Sequence, residues 1–547
     1  MSSPTPDDIL REHQFLHEEA LAFGSKSFFV FPHHFIPVFI LILTLLVPWP
    51  RQGLLSYARY LSFLFIAWFT ACAIPQVQTL GLASGYGVGL ILAWFLVWSA
   101  ALLVFNNPQR EYARIEKCMH GDCVSIASMA PSKGGGSAVF PVPPQRGESA
   151  ARCRDRLNDA KDANQSRNSI VTDELEESHF KWQPFPETLA HRLYWVLDLV
   201  FNFRGPGWNW RITTLQPLPF VVRLQLEGTP GTGMTPKEFD LDAAKSTLRT
   251  QLKMVTWGYL VLDVARPILT KDPYFLGIIP SQSPYLSALD PESPLTRTLN
   301  FIFHQGTSLC VTIIAIQFVA AAFWAILLSA VILCSLLVGT RFAIPIEQPW
   351  MYPEFFGPCL LSILDRGLAG VWATWWHQLF RFTYVSVGKW TISCLPANLQ
   401  RKPNFTRPLR ILIAFILSGF LHSMGSYTQV SSTHPFSGTF LFFLLQAPGI
   451  FFQSIVARYL NEHLPFRVPR WLRRAGNLVF VVLWFCLTGP LEGDDLARCG
   501  LWLLEPVPFS LVDALGYGDG KGPWRWTWKW VQVWRGEQWW NRGILIL

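Results

Sequence analysis

The chain has 547 residues, of which 50% are apolar, 15% aromatic and only 15% charged, with a net charge of +8. A soluble domain carries about 25% charged residues, and the mean hydropathy here is +0.26, so a purely cytosolic enzyme is excluded and a polytopic membrane protein is expected. The excess of positive charge lies mainly in short loops beside apolar runs, which assigns it to membrane topology rather than to nucleic-acid binding.

Residues 1–27 lack the basic and apolar regions of a cleavable signal, so this N-terminal tail leaves insertion to the first span. Crossing roughly 30 Å of hydrocarbon takes about 20 mostly apolar residues. Runs at 28–48, 57–75, 85–105, 254–270, 309–339, 411–427, 437–456, 476–490 and 500–516 are candidates. The run at 476–490 is short, and the last is interrupted by Glu505, Pro506 and Pro508, so either has a re-entrant alternative. The pattern predicts an all-α polytopic membrane protein with about nine transmembrane helices plus a re-entrant or interfacial helix. Its expected divisions are three helices in 28–105, a polar cytosolic insert in 106–198, a membrane domain in 199–517 and a tryptophan-rich interfacial tail in 518–547.

Within the insert, Pro131 to Asn168 is too poor in apolar side chains to offset the entropy of ordering, so disorder is expected. The stretch "LVFNFRGPGWNWR" from Leu199 to Arg211, like the tail from Trp524 to Trp540, reads as a membrane-surface segment, where indole and guanidinium sit well. Lysines and arginines set the orientation. Arg401, Lys402, Arg407 and Arg410 precede the sixth run, Arg458, Arg467, Arg470, Arg473 and Arg474 follow the seventh, and residues 428–436 between those runs have none. After the eighth run comes the acidic "EGDD", and after the ninth a basic tail. Nine crossings then place the insert and the tail in the cytosol and the N-terminus in the lumen, with the sequons at Asn164 and Asn404 both cytosolic and unglycosylated.

Ionisable groups inside a span cost about 2.5–3.5 kcal/mol on insertion scales and usually serve a site. Of the 12 histidines, only His422 lies deep in an apolar run, eleven positions after Ile411 in "ILIAFILSGFLHSMGSY". At 1.5 Å per residue that is about 17 Å inward, mid-bilayer, where a neutral imidazole can accept a proton without burying a permanent charge. Ser418 and Gly419 share its helical face and leave room for a substrate or a neighbouring helix. The alternative for His422 is a hydrogen bond between helices.

A second concentration of polar groups runs from Glu347 to Phe382, where Trp372, Trp375, Trp376, His377, Gln378 and Arg381 fall close together. This segment is too polar for a lipid-facing span and reads as a re-entrant or interfacial helix lining a cavity from the cytosolic side. An aromatic belt is the alternative; it accounts for the tryptophans but not for the Trp-His-Gln-x-x-Arg grouping. Asp365, Arg366 and Asp263 serve either function or interhelical pairing, while Gly85, Gly87 and Gly89 read as helix-packing contacts. The loop with Gly228, Gly231 and Gly233 lacks the Gly-Lys-Ser/Thr of a phosphate loop, and no G-x-S-x-G elbow is present. The ten cysteines form no C-x-x-C pair, so neither a disulfide framework nor a metal site is expected.

Together, "YPEFFG" (Tyr352 to Gly357), "WHQLFR" (Trp376 to Arg381) and "FILSGFLH" (Phe415 to His422) resemble the wax-synthase-like branch of the membrane-bound O-acyltransferases, and "RGPGWNW" (Arg204 to Trp210) is similar to a segment of its fungal members. The resemblance implies acyl transfer from an acyl-CoA thioester to a hydroxyl, with His422 matching the catalytic histidine and His377 its partner. Trp376, Gln378, Arg381, Ser418, Asp365 and Arg366 become candidate substrate or CoA contacts, with Lys389 a weaker one. No bound cofactor is implied; acyl-CoA, expected to be acetyl-CoA, is a co-substrate, and the bilayer and an apolar alcohol are the other partners. The "YPEFFG" segment differs from the Pro-Pro-Leu-Phe-Gly of plant wax synthases, so acetylation of a terpenoid or meroterpenoid hydroxyl is expected over long-chain wax or sterol ester synthesis. The expected location is the endoplasmic reticulum. A transporter or scramblase would instead carry paired broken helices in two related halves, and the sequence has no such symmetry; in a noncatalytic scaffold His422 would only join helices.

Overall fold

A computed structural model describes residues 5–50, 52–80, 82–118, 179–227, 240–281, 293–338, 343–466, 468–503, 507–518, 522–526, 531–536 and 542–546. The segment expected to be disordered, the glycine loop at 228–233 and the sequon at Asn164 lie outside them.

Most of the described chain is helical. α1 (Pro6–Ala22) starts on a Thr5–Asp8 capping box. It is followed by α2 (Ile36–Leu46), α3 (Ala58–Gln76), α4 (Leu82–Ala100), α5 (Leu189–Phe201), α6 (Leu241–Leu269) and α7 (Pro294–Val338). The second half holds α8 (Cys359–Gly370), α9 (Arg381–Ser393), α10 (Pro403–Tyr427), α11 (Leu441–His463) and α12 (Arg470–Arg498). Three π turns, Ala101–Phe105, Val371–Trp375 and Pro435–Phe440, extend α4, continue α8 and precede α11.

Among the described residues 6 helices are long and apolar enough to cross a membrane: Ala58–Gln76, Gly85–Phe105, Pro294–Leu337, Pro403–Tyr427, Pro435–His463 and Arg470–Arg498. The expectation of about nine is not confirmed among the described residues, for physical reasons. The first run opens in strands, which leaves α2 only 11 residues, about 17 Å of helix. The run at 254–270 lies in α6, whose first half carries Asp242, Lys245, Arg249 and Lys253. The run at 500–516 forms only a 3₁₀ turn, Leu501–Leu503, and a single helical turn, Leu511–Ala514, whose backbone amides at Leu511 and Val512 are capped by Asp263 of α6 at 2.8 and 3.1 Å. The short run at 476–490, by contrast, is the middle of α12, which has 29 residues.

Small sheets qualify the all-α expectation. β1 (Ser27–Phe28) pairs in parallel with β3 (Val77–Gln78), and β4 (Arg114–Cys118) pairs antiparallel with β5 (His179–Gln183). β2 (Val30–Phe31) lies against β7 (Arg542–Ile546), which also pairs with β6 (Val531–Arg535). Paired strands are about 4.8 Å apart, so Val30 and Leu545 lie on one side of any membrane, and the opposite-side placement of the N-terminus and the tail is corrected. With only short turns among the described residues of 500–516, the tail stays on the side where α12 ends.

One core joins α2, α3, α4 and α5 to Trp208 and Leu421; a second lies among α8, α10, α11 and α12. Trp208, expected at the membrane surface, is fully buried and packs edge-on against Trp195. Nearby Arg204 donates to the carbonyls of Glu354 and Pro353 at 2.7 and 2.8 Å, so "RGPGWNW" clamps "YPEFFG". Burial lowers the Arg204 pKa to about 10, which leaves the clamp cationic at neutral pH.

Candidate active site

The α8–α9 segment enters the bundle and turns back. Asp365 on α8 binds Arg474 at the start of α12, and Trp390 on α9 packs on Phe105 while Gly388 faces Arg410, so both arms reach the same end. The arm that enters bends at Gly367, whose φ of +59° is the left-handed region and whose added Cβ would lie 2.0 Å from the Gln453 side chain. Gln453 Oε1 accepts the Leu368 amide at 2.9 Å there. The π turn Val371–Trp375 follows, closed by Trp376 N donating to Val371 O at 2.8 Å.

A π turn frees carbonyls that must find other donors. Gln378 Nε2 donates to the carbonyls of Trp372 and Trp376 at 3.0 and 2.5 Å, and Arg381 Nη1 to Ala373 O and Gln378 Oε1 at 2.9 and 2.8 Å. Gln378 and Arg381, expected to contact CoA, thus staple the hairpin tip with these groups. Arg366 reaches Thr374 Oγ1 at 3.1 Å. Asp365 lies away from the histidines; hydrogen bonding to Arg474, with Arg470 adding charge, holds its exposed carboxyl below the usual range. Asp365→Ala should leave the unfolding temperature nearly unchanged, because exposed ion pairs contribute little; thermal unfolding of the solubilised protein checks it.

His377 stands at the tip, ringed by Phe355, Phe356, Trp376 and Phe380 with centroids at 5.7, 6.2, 5.4 and 5.6 Å. Its Nδ1 is buried and has no hydrogen-bond partner among the described residues. His422 projects from α10, five residues before that helix ends at Tyr427, so it sits nearer the far end than the expected mid-depth; α10 starts at Pro403, eight residues ahead of Ile411. Its ring stacks on Phe443 at 4.5 Å and 13°. Phe443, Trp372 and Trp376 link the two rings, with the Trp372 centroid 5.9 Å from Phe443 and 6.0 Å from Trp376. The structure therefore brings His377, Trp376 and His422 together. Ser418 instead faces the Tyr384 hydroxyl, and Gly419 takes the Phe440 ring, where an added Cβ would come within 2.9 Å, so both serve packing between helices.

α4 lies against α10 because Gly89 has no side chain: a Cβ there would be 2.0 Å from Met424 O. One turn earlier Tyr86 places its hydroxyl 3.0 Å from His422 Nδ1. Sequence reasoning missed Tyr86, although it stands between the flagged Gly85 and Gly87. It also missed the acids of "EGDD", read as a loop; α12 runs through them and turns all three inward, Glu492 and Asp495 towards α10 and the π turn before α11. Asp495 accepts from Ser426 Oγ at 2.5 Å, Thr439 Oγ1 at 3.0 Å and the His434 amide at 2.5 Å, which ties α10 to the π turn before α11. The Glu492 carboxyl meets the hydroxyls of Thr439 and Tyr86.

Residues 352–445, which contain both histidines, match the model of the Membrane bound O-acyl transferase family, so the resemblance carried by the motifs is borne out over this segment. Within that class the chain is similar to the acetyltransferase spyB of Aspergillus fumigatus, 24% identical over 56% of this chain and 48% of that protein. It is also similar to the acetyltransferase ple2 of Rhodocybe pseudopiperita, 28% identical over 59% and 71% of the two chains, and to the acetyltransferase TRI7 of Fusarium sporotrichioides, 26% identical over 60% and 69%. The alignment to spyB spans about half of that protein's length, at 48%. No solved structure matches.

Proposed function

We propose that the chain is a membrane-bound O-acyltransferase that moves an acetyl group from acetyl-CoA to a hydroxyl of an apolar small molecule, a terpenoid or meroterpenoid of secondary metabolism. The observation that carries this reading is the chain of ring contacts that joins His422, on a helix, through Phe443, Trp372 and Trp376 to His377 at a re-entrant tip. The names of the three relatives described above, each an acetyltransferase, favour acetyl as the group moved. His422 takes the alcohol proton as the oxygen attacks the thioester carbonyl, and His377 donates to the oxyanion. The carbon–sulfur bond then breaks, and the thiolate takes the proton back from His422. Exclusion of water suppresses thioester hydrolysis.

The basic loops at 401–410 and 458–474 face the cytosol in this reading, and the hairpin opens on that face, so CoA approaches past Arg366 and Lys389 while the alcohol arrives through the bilayer. The endoplasmic reticulum supplies such a membrane. The test is an assay of membranes containing the chain with acetyl-CoA, longer acyl-CoAs and a panel of apolar alcohols, read as ester by mass spectrometry. Acetyl ester from one alcohol is expected; no ester with any donor overturns the reading. His377→Asn, which keeps a donor, should retain at least about tenfold more activity than His377→Ala if the oxyanion role holds.

A further inference from the structure

We infer that Tyr86 and Glu492 form a relay that positions His422, which makes them positioning residues for the proposed acyl transfer; the inference rests on that reading of His422. A base imidazole is useful when one nitrogen is tied, so that the other keeps its lone pair for the substrate. The Tyr86 hydroxyl is 3.0 Å from His422 Nδ1. A phenol has a single proton to donate; accepting from Nδ1–H, it passes its own proton towards the Glu492 carboxyl, which the same hydroxyl meets. The Phe443 face, 13° from parallel, fixes the plane of the imidazole. With ring plane and Nδ1 both held, Nε2 is left to take the alcohol proton.

The relay draws on three helices and excludes the other acid turned towards α10. Tyr86 comes from α4, His422 from α10 and Glu492 from α12. Asp495 already accepts three donors and anchors the backbone at His434, which gives it a structural task. Glu492 has no comparable set: its described partners are the hydroxyls of Thr439 and Tyr86. In the reaction the alcohol proton moves to Nε2 and then to the departing thiolate sulfur, while the Nδ1 proton stays on Nδ1, donated in a hydrogen bond to the Tyr86 oxygen; no group is oxidised or reduced.

The test uses the full chain in native membranes with Tyr86→Phe, Glu492→Gln, their combination, and each in a His422→Ala background. Tyr86→Phe keeps the ring that packs on Gly425, and Glu492→Gln keeps the carboxyl shape. Losing a partner that orients a functional imidazole costs about 10- to 100-fold. Each single change should lower kcat by that factor with KM for acyl-CoA within about twofold, the combination should lose no more than the worse single change, and neither should lower the residual rate of His422→Ala. Should Tyr86→Phe accumulate poorly, Glu492→Gln decides alone. Wild-type kcat in either variant overturns the relay, and so do losses that multiply or persist in the His422→Ala background, since those report packing. If His422→Ala itself runs at the wild-type rate, the acyl-transfer reading falls; if it is inactive while both single variants match wild type, only the relay falls.

Discussion

His422→Ala is expected to lower ester formation by about 10²- to 10⁴-fold, the usual worth of a positioned acid–base group, with normal accumulation of the protein. The ring is stacked on Phe443 and bonded to Tyr86, so its removal leaves a void beside one and takes a hydrogen bond from the other. A lost hydrogen bond costs about 0.5–1.5 kcal/mol, which lowers the unfolding temperature of the solubilised protein without emptying the membrane of it. His422→Gln separates the two effects: the amide restores a polar partner for Tyr86 but takes up no alcohol proton. Ester formation by membranes, normalised to protein content, should therefore be equally low in both variants, while the unfolding temperature recovers only in glutamine. Wild-type rates in either would remove His422 from the chemistry.

Gly89→Ala is expected to be among the most damaging single-methyl changes in the bundle. The new Cβ would stand 2.0 Å from Met424 O and 2.4 Å from Thr428 Oγ1, against backbone and a hydroxyl already bonded to Gly85 O at 2.7 Å. Overpacking costs about 1–3 kcal/mol where side chains can yield, and a helix backbone yields less, so α4 must move off α10 and carry Tyr86 away from His422. Activity falls with stability. Gly87 provides the control on the same helix, since an added Cβ meets nothing within 4 Å; there Gly→Ala gains up to about 1 kcal/mol of helix propensity. Thermal unfolding in detergent should thus move in opposite directions for the two variants. Equal shifts would mean that the close contact of α4 and α10 does not support the site.

What could be read from the sequence followed from local chemistry. His422 stands out because an imidazole in an apolar run is costly wherever the chain folds, and His377 because its neighbours fit neither lipid nor water. A re-entrant or interfacial helix over Glu347 to Phe382 was expected for the same reason, and the chain turns back within that stretch. The roles of Gln378 and Arg381 were not, because both look like ligands until the π turn exposes carbonyls that need them. Tyr86 was hidden because nothing in an apolar run shows which tyrosine will face a histidine on a distant helix. The inward acids of "EGDD" read as solvated, since acidic clusters after a span usually are. The number of crossings is not confirmed where hydropathy is a poor guide: α2 is shortened by strands, α6 is half charged, and the last run is broken by prolines.

The pairing of β2 with β7 also sets an order of assembly. Val30 emerges from the ribosome before any of the membrane-spanning helices, yet its partner Leu545 is made only after α12. Contacts so distant in sequence close late, and until then β2 is an unsatisfied edge open to mispairing. The bundle must therefore be assembled while its first strand waits, and nascent chains stalled before β7 should depend most on chaperones of that compartment.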